Sequence, residues 1–385
     1  MKGSRRVLVL GAGIAGTAAA DTLRRMLPAS HEVVLIEKAQ EHVFAPSLLW
    51  LAVGRRSRGQ ITRPISRIIR RGIRLVAGTI EKIDAGNRAV VVDGQDFDGD
   101  ALVVALGADY NLKAIPGLQD AGNNLYALEG AESLRNALSS FGSGTIAIVT
   151  AAPAYKCPAA PYEAAMLIES QLRERGLRSG VQAEFWAAEP GPMGVAGPAV
   201  SAAVRALIEG RGIAYRPGMQ VREVDAAARR LTFVDGSQAS YDILAYVPPH
   251  TAPSVVREAG LVDASGWISV DRRTMETAHA GVYAVGDVTS IPLSLGKPLP
   301  KAGTFAEGQG KVAAMNIAHK LTARGRPASF AGHGECLVET GAAKAAYSGG
   351  NFYAEPVPQV ALKQPSRFWH LAKVVVERRW LRRWS

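Results

Sequence analysis

Residues Val7-Leu8-Val9-Leu10-Gly11-Ala12-Gly13-Ile14-Ala15-Gly16 confine this chain to a narrow set of folds. An apolar, valine-rich run passes at once into GxGxxG and then into the helix-forming Thr17-Ala18-Ala19-Ala20, which reads as strand, tight turn and helix. Gly11 permits the turn, Gly13 lets the backbone approach a pyrophosphate, and Gly16 lets the helix lie close on the strand. The helix N-terminus, at Ile14, Ala15 and Gly16, then offers free amides to phosphate oxygens. A glycine loop alone also occurs in unrelated α/β sheets. Here a second strand, Val33-Val34-Leu35-Ile36, ends at Glu37-Lys38. Glu37 stands about 20 residues past the glycines, where a carboxylate accepts hydrogen bonds from an adenosine ribose.

Two further segments point to FAD rather than NAD. Gly281-Val282-Tyr283-Ala284-Val285-Gly286-Asp287 resembles the short strand ending in Gly-Asp of flavoproteins with two dinucleotide folds, which implies that Gly286 and Asp287 meet the phosphate and ribityl side of a flavin. Leu102-Val103-Val104-Ala105-Leu106-Gly107-Ala108, followed by Ile115-Pro116-Gly117, resembles the crossover strand of the same superfamily and places Gly107 near the cofactor.

A chain of 385 residues is large for one core. The order of signals predicts an α/β protein with two Rossmann-like units: a FAD-binding domain in two pieces, 1–112 and 246–330, and an inserted NAD-domain-like unit, 113–245. A C-terminal region, 331–385, follows. Within the insertion, Thr145–Val149 and Val181–Trp186 read as strands around a helix from Tyr162 to Arg173. Yet no second GxGxxG follows the first of these strands. In its place stands Tyr155-Lys156-Cys157-Pro158-Ala159-Ala160-Pro161-Tyr162-Glu163. Prolines remove amide donors and fix φ, so Pro153, Pro158 and Pro161 make a poor phosphate cradle and NAD(P)H is not expected there.

That segment carries one of only two cysteines; the other is Cys336. The simplest use of such a pair beside a flavin is a redox disulfide that delivers two electrons. Lys156 and the positive end of the helix starting near Pro161 are expected to lower the thiol pKa of Cys157. Two buried, inert cysteines that never meet are the bland alternative. The seven histidines are scattered without ligand spacing, so no metal site is expected; His250 and His333 are possible proton carriers.

The net charge of +11 is concentrated: residues 55–74 hold eight arginines and no acid, and residues 366–385 carry +5. The tail mixes these cations with aromatics, and on a helical wheel Trp369, Ala372, Val376, Trp380 and Trp384 share one face. This reads as an interfacial helix lying on an anionic membrane, with a basic helix docked on its own core as the other reading. For the arginine run, a solvated helix face and a lipid-facing one are both open. No nucleic-acid module accompanies the charge, so nucleic acid is not an expected partner. No apolar stretch reaches the length of a membrane span, and the first strand begins too early for a signal peptide, so a peripheral protein on the cytoplasmic side of a membrane is expected. A homo-oligomer is compatible with the sequence.

Together with the flavin motifs, Lys156-Cys157-Pro158-x-x-Pro161-Tyr162-Glu163 and Gly334-Glu335-Cys336-Leu337-Val338-Glu339-Thr340-Gly341 resemble the sulfide:quinone oxidoreductases, and the flavin subunit of flavocytochrome c sulfide dehydrogenase. The resemblance runs through Tyr246–His250, Gly266–Asp271 and Pro300–Glu307. It implies that Cys157 and Cys336 form the redox pair and take up sulfide sulfur, and that electrons pass through FAD to a membrane quinone. Lys301 would stabilise charge on reduced flavin or quinone, and Glu163 would transfer protons near the ring. Two departures stand out. The third cysteine of many such enzymes is missing, which bears on the sulfur product. The segment His42–Ser47, where the flavocytochrome subunit ties its flavin to cysteine, has none, so FAD should be non-covalent. A type II NADH:quinone oxidoreductase, a dehydrogenase of another sulfur compound and a non-catalytic flavin-binding redox sensor are the competing readings.

Overall fold

The computed structural model describes residues 4–153 and 155–382. Two parallel five-stranded sheets dominate it. The first runs Val282–Ala284, Ala101–Val104, Arg6–Leu10, Glu32–Glu37, Arg74–Ala77 across the sheet. The second runs Asn123–Asn124, Ile243–Val247, Gly144–Thr150, Val181–Ala187, Ala214–Pro217. The path is repeated. In each, three strands step outward, a three-stranded antiparallel meander follows, and the chain returns to pair on the other side of the first strand. Both sheets are covered on two faces, which is why Val7–Leu10 and Ile146–Val149 read as continuous apolar runs and are wholly buried.

The helix predicted over Tyr162–Arg173 spans Ala160–Glu174, with Pro161 in its first turn, where a missing N–H costs nothing. The strand expected over Leu102–Ala108 leaves the sheet after Val104, and Gly107 takes a left-handed φ of 71°. The boundary expected between 245 and 246 falls inside the strand Ile243–Val247. That strand stays in the second sheet to its end, where Val247 pairs with Thr150, so the chain returns to the first unit after it.

After the long helix Gly303–Thr322 the chain forms an antiparallel sheet, His333–Gly341, Lys344–Asn351 and Gln359–Ser366. Its first strand packs on the helix Ala160–Glu174, and the C-terminal helix Arg367–Leu381 packs on the sheet. The C-terminal helix does not face the way its hydropathy predicts. Lys373 and Glu377 are buried, whereas Phe368, Leu371, Val375 and Val376 are 66%, 61%, 60% and 51% exposed. Trp369 stacks on Tyr347, and Trp380 stacks on Phe44 and donates its indole N–H to His42. Partners from distant segments cause the rotation: Lys373 pairs with Glu163, while Glu377 accepts from Arg56 and from the Ser47 hydroxyl. Of the expected stripe, Val376 does face outward, Trp369 and Trp380 do not, and Trp384 lies outside the described residues.

The arginine run is not one helix face. It is wound into a short helix, Arg58–Ile61, a strand, Thr62–Pro64, and a turn, Ile65–Arg67. Five of its eight guanidiniums are tied to acids: Arg55 to Glu174, Arg56 to Glu377, Arg58 to Glu132, Arg70 to Asp21 and Arg74 to Glu32.

Candidate redox site

The first glycine loop has the shape a dinucleotide needs. Gly11 has φ 96°, and a Cβ there would stand 2.6 Å from the Ala105 carbonyl oxygen; a Cβ on Gly13 would meet nothing within 4 Å. The crowded glycine makes the turn and the open one leaves room for phosphate. Gly13 caps the helix Ile14–Met26 without a side-chain hydrogen bond, which leaves the first amides, those of Ile14, Ala15 and Gly16, for an anion. Glu37 closes the second strand and is fixed by the amides of Ala12 and Ala39; Lys38 beside it is exposed. Gly286 sits against the same helix end, since a Cβ on it would lie 3.1 Å from the Ala15 methyl. Asp287, next in the chain, has its carboxyl pushed up by burial, with Lys156 and Lys301 opposing the rise. These residues fit a dinucleotide whose phosphates lie at the Ile14 helix and whose remainder runs past Gly286-Asp287.

Cys157 and Cys336 come together on the wall of one cavity of about 660 Å³, which also touches Trp267, Lys301, Phe305 and Glu189. Both are free thiols that keep a partial opening to the cavity. Cys157 adopts φ 48°, a left-handed conformation that costs a non-glycine residue about 1 kcal/mol or more. Three hydrogen bonds hold it there. Its N–H donates to the Lys301 carbonyl (2.6 Å), and its own carbonyl accepts from the Ala160 amide (2.9 Å) and the Tyr126 hydroxyl (3.0 Å). Lys301 in turn donates through Nζ to the carbonyls of Asp287 and Thr289 and lies over the Trp267 ring. Its pKa is brought down to about 8 by burial, with Asp287 opposing. The cysteine loop and the Gly286-Asp287 turn are thus joined through one lysine.

The electrostatics of Cys157 differ from expectation. Burial pushes its thiol up to about 11, Glu163 adds to this, and Lys373 and the Ala160 amide oppose it. The helix end acts in the expected direction but desolvation is the larger effect. Lys156 lies over the Tyr110 ring and is drawn to Tyr110 and Asp287 ahead of the Cys157 thiol, so its pull on the thiol is the smaller effect. Cys336 is pushed up further, by burial first and then by Cys157 and Glu163. Reduced Cys157 should therefore react with iodoacetamide about tenfold faster for each pH unit between 7 and 10. A plateau below pH 8 in mass-spectrometric labelling would contradict this.

Glu163, expected to transfer protons near the ring, belongs to a cluster. Lys373 donates to it from the C-terminal helix, and His370 on that helix bonds Glu339 on the Cys336 strand at 2.8 Å. Burial raises the Glu163 carboxyl to about 7 despite Lys373. His250 is held neutral, its pKa lowered to about 3 by burial and by Lys156, with Nδ1 on the Pro248 carbonyl. His333 is exposed at the start of its strand, outside these contacts.

At the second sheet, Glu189 stands two residues past the strand Val181–Ala187, in the position Glu37 has in the first. It accepts hydrogen bonds from Thr150, Tyr155 and Tyr162. The tyrosines of the cysteine segment thereby occupy the carboxylate that a nucleotide ribose would use. Glu189 was legible by the same strand-end logic as Glu37; Lys373, Glu339 and His370 carried no local signal.

Residues 5–319 match the pyridine nucleotide-disulphide oxidoreductase family. The chain is 25% identical over 372 residues to the sulfide-quinone reductase of Aquifex aeolicus, covering 92% of this chain and 84% of the relative. It is also 25% identical over 361 residues to the mitochondrial sulfide:quinone oxidoreductase of Dictyostelium discoideum, covering 89% and 77%. The crystal structure of the sulfide:quinone oxidoreductase from Aquifex aeolicus superposes with a TM-score of 0.87 at 23% identity, over 97% of this chain and 90% of that one. The chain therefore belongs to the pyridine nucleotide-disulphide oxidoreductase family and is a flavoprotein oxidoreductase similar to the sulfide:quinone oxidoreductases.

Proposed function

We propose that this protein oxidises sulfide through a Cys157–Cys336 redox pair and passes the electrons by way of non-covalent FAD to a membrane quinone. The observation that carries this reading is the shared cavity, with both cysteines on its wall and Lys301 joining the Cys157 backbone to the Gly286-Asp287 turn. Gly11, Gly13, Ile14, Ala15, Gly16, Glu37, Lys38, Gly107, Gly286, Asp287 and Lys301 would hold FAD, whose isoalloxazine supplies a two-electron acceptor when bound. In this reading the chain divides into a FAD domain, a cysteine-bearing insertion and a C-terminal region.

Sulfide attacks the Cys157–Cys336 disulfide; one S–S bond forms and one breaks, leaving a persulfide and a thiolate. Lys301, whose pKa burial brings down to about 8, offers a cation whose charge and proton respond to electron density arriving beside it. Tyr155, Tyr162 and Glu189 fill the second cradle, which argues against NADH as the reductant. The test is an anaerobic titration with sulfide followed by a short-chain quinone: bleaching of oxidised-flavin absorbance, reversed by quinone, is expected. A flavin that stays oxidised with sulfide but bleaches with NADH would overturn the reading. The cavity volume, far larger than hydrosulfide, supports a second reading in which a bulkier persulfide or thiol is the substrate.

The exposed Phe368, Leu371 and Val375 support docking of the C-terminal helix on a membrane surface, and among the described residues no helix is long and apolar enough to cross one. Deleting 366–385 would also remove Lys373 and Trp380 from the interior. The cleaner variant is Phe368→Ser with Leu371→Ser and Val375→Ser. Loss of three apolar contacts predicts roughly a hundredfold weaker binding to anionic vesicles in a sedimentation assay, with the unfolding temperature little changed. Unaltered binding would reject the helix as the docking face.

A further inference from the structure

We propose that Glu163, Lys373, Glu339 and His370 form a buried proton relay leading from the two cysteines to the surface of the C-terminal helix. The relay deepens the sulfide-oxidising reading and rests on it for the source of the proton.

The four side chains come from three elements that meet behind the cysteines. Glu163 lies in the first turn of the helix that begins just after Cys157, and Glu339 lies on the strand that carries Cys336. Lys373 and His370 occupy successive positions on the inner face of the C-terminal helix. Lys373 Nζ donates to Glu163, the Glu339 amide supports the same carboxylate, and Lys373 also feels the Glu339 charge. His370 Nδ1 stands 2.8 Å from Glu339 Oε1. Trp50 covers the group, with Lys373 over its ring and His370 at its edge.

Three observations make this more than a structural ion pair. Glu163, Glu339 and Lys373 are 4%, 0% and 7% exposed, so water does not stabilise their charges. Two carboxylates face one ammonium, which leaves one carboxylate to hold a proton or be matched by a protonated His370. Glu339 Oε2 is buried with no hydrogen-bond partner, an acceptor open to a proton. At one end Glu163 and Lys373 both act on Cys157 and Cys336; at the other the His370 side chain keeps 20% exposure. The other charges that face the cysteines are engaged elsewhere: Glu335 accepts from the Tyr347 hydroxyl, and Asp287 lies with Lys156 and Lys301.

The step balances without a further reactant. Hydrosulfide adds to one cysteine sulfur and the electron pair of the broken S–S bond stays on the other as thiolate. The persulfide S–H proton passes to the Glu163 carboxylate. Lys373 gives a proton to Glu339 Oε2 and takes the one on Glu163. The Glu339 carboxyl turns to hand this proton to His370 Nδ1, which stands 2.8 Å from Oε1, and Nε2–H releases a proton to solvent before the ring returns to its starting tautomer. No electrons travel this way.

The test is His370→Asn, which keeps a hydrogen bond to Glu339 but cannot titrate, with Glu339→Gln as a second variant. In weakly buffered anaerobic stopped flow, an indicator dye reports protons while flavin absorbance reports reduction. In the wild type the dye should report a proton released as the disulfide opens, ahead of bleaching, because reduction of the flavin takes a proton up again. In His370→Asn proton release should lag at least about tenfold and be restored by added imidazole, with FAD content and unfolding temperature unchanged. Proton release as fast as in the wild type in both variants, or a slowed release that imidazole leaves slow, overturns the relay. If sulfide fails to bleach the wild type, the sulfide reading falls and dithiothreitol replaces it as the reductant in the same comparison. A wild type that neither reductant bleaches overturns both.

Discussion

Cys157→Ser should abolish reduction of the flavin by sulfide, lowering the bleaching rate by roughly 10³-fold or more while FAD remains bound. Serine has nearly the shape of cysteine, and the backbone at φ 48° is held by the Lys301 carbonyl, the Ala160 amide and the Tyr126 hydroxyl, none of which involves the sulfur. The loss would thus be chemical. A serine hydroxyl neither forms a disulfide nor accepts sulfide sulfur. Cys336→Ser should lose as much, and the double variant no more than either single one, because a disulfide is one functional unit. Stopped-flow absorbance with excess sulfide decides it. Wild-type bleaching in either variant would mean that sulfide reaches the flavin without the pair.

The first dinucleotide fold was legible because its glycines act locally. Gly11 is required by its own φ of 96°, and Gly16 by a contact inside the turn: a Cβ on Gly16 would lie 1.8 Å from the Gly11 carbonyl oxygen. The cysteine segment was legible by contrast, as prolines and tyrosines where a second glycine loop belongs. What the sequence hid depends on distant segments meeting. Lys373 and Glu163 are 210 positions apart, and only the packing of the C-terminal helix on the strand of Cys336 brings them together. Without that contact a wheel assigns Lys373 and Glu377 to solvent and the tryptophans inward to lipid, the reverse of what the folded chain does. The thiol of Cys157 misled for a related reason. The neighbouring Lys156 is visible in the sequence, but the burial that outweighs it is not.

Lys373→Met should be the most destabilising single substitution at the redox site, and the loss should depend on pH. Methionine fills the space of the lysine stem beside Trp50, so packing changes little. What remains is Glu163 and Glu339 buried together with no ammonium between them, and breaking a buried pair in this way costs about 3–5 kcal/mol. The sign of the pH effect follows from Glu163. Its carboxyl is raised from 4.5 to about 7 by burial even with Lys373 present, and removing the cation raises it further. Above the ordinary carboxylate range the unfolded chain gives up this proton while the folded chain keeps it, so stability falls as pH rises through that window. Urea unfolding at pH 8 should therefore show the full deficit against wild type, and at pH 5, where the folded Glu163 carboxyl is protonated, most of it should be gone. An equal deficit at both pH values would mean that the lysine acts through packing rather than charge. Adding Glu163→Gln to Lys373→Met should recover much of the pH 8 stability, because the buried charge that lost its partner is then removed as well.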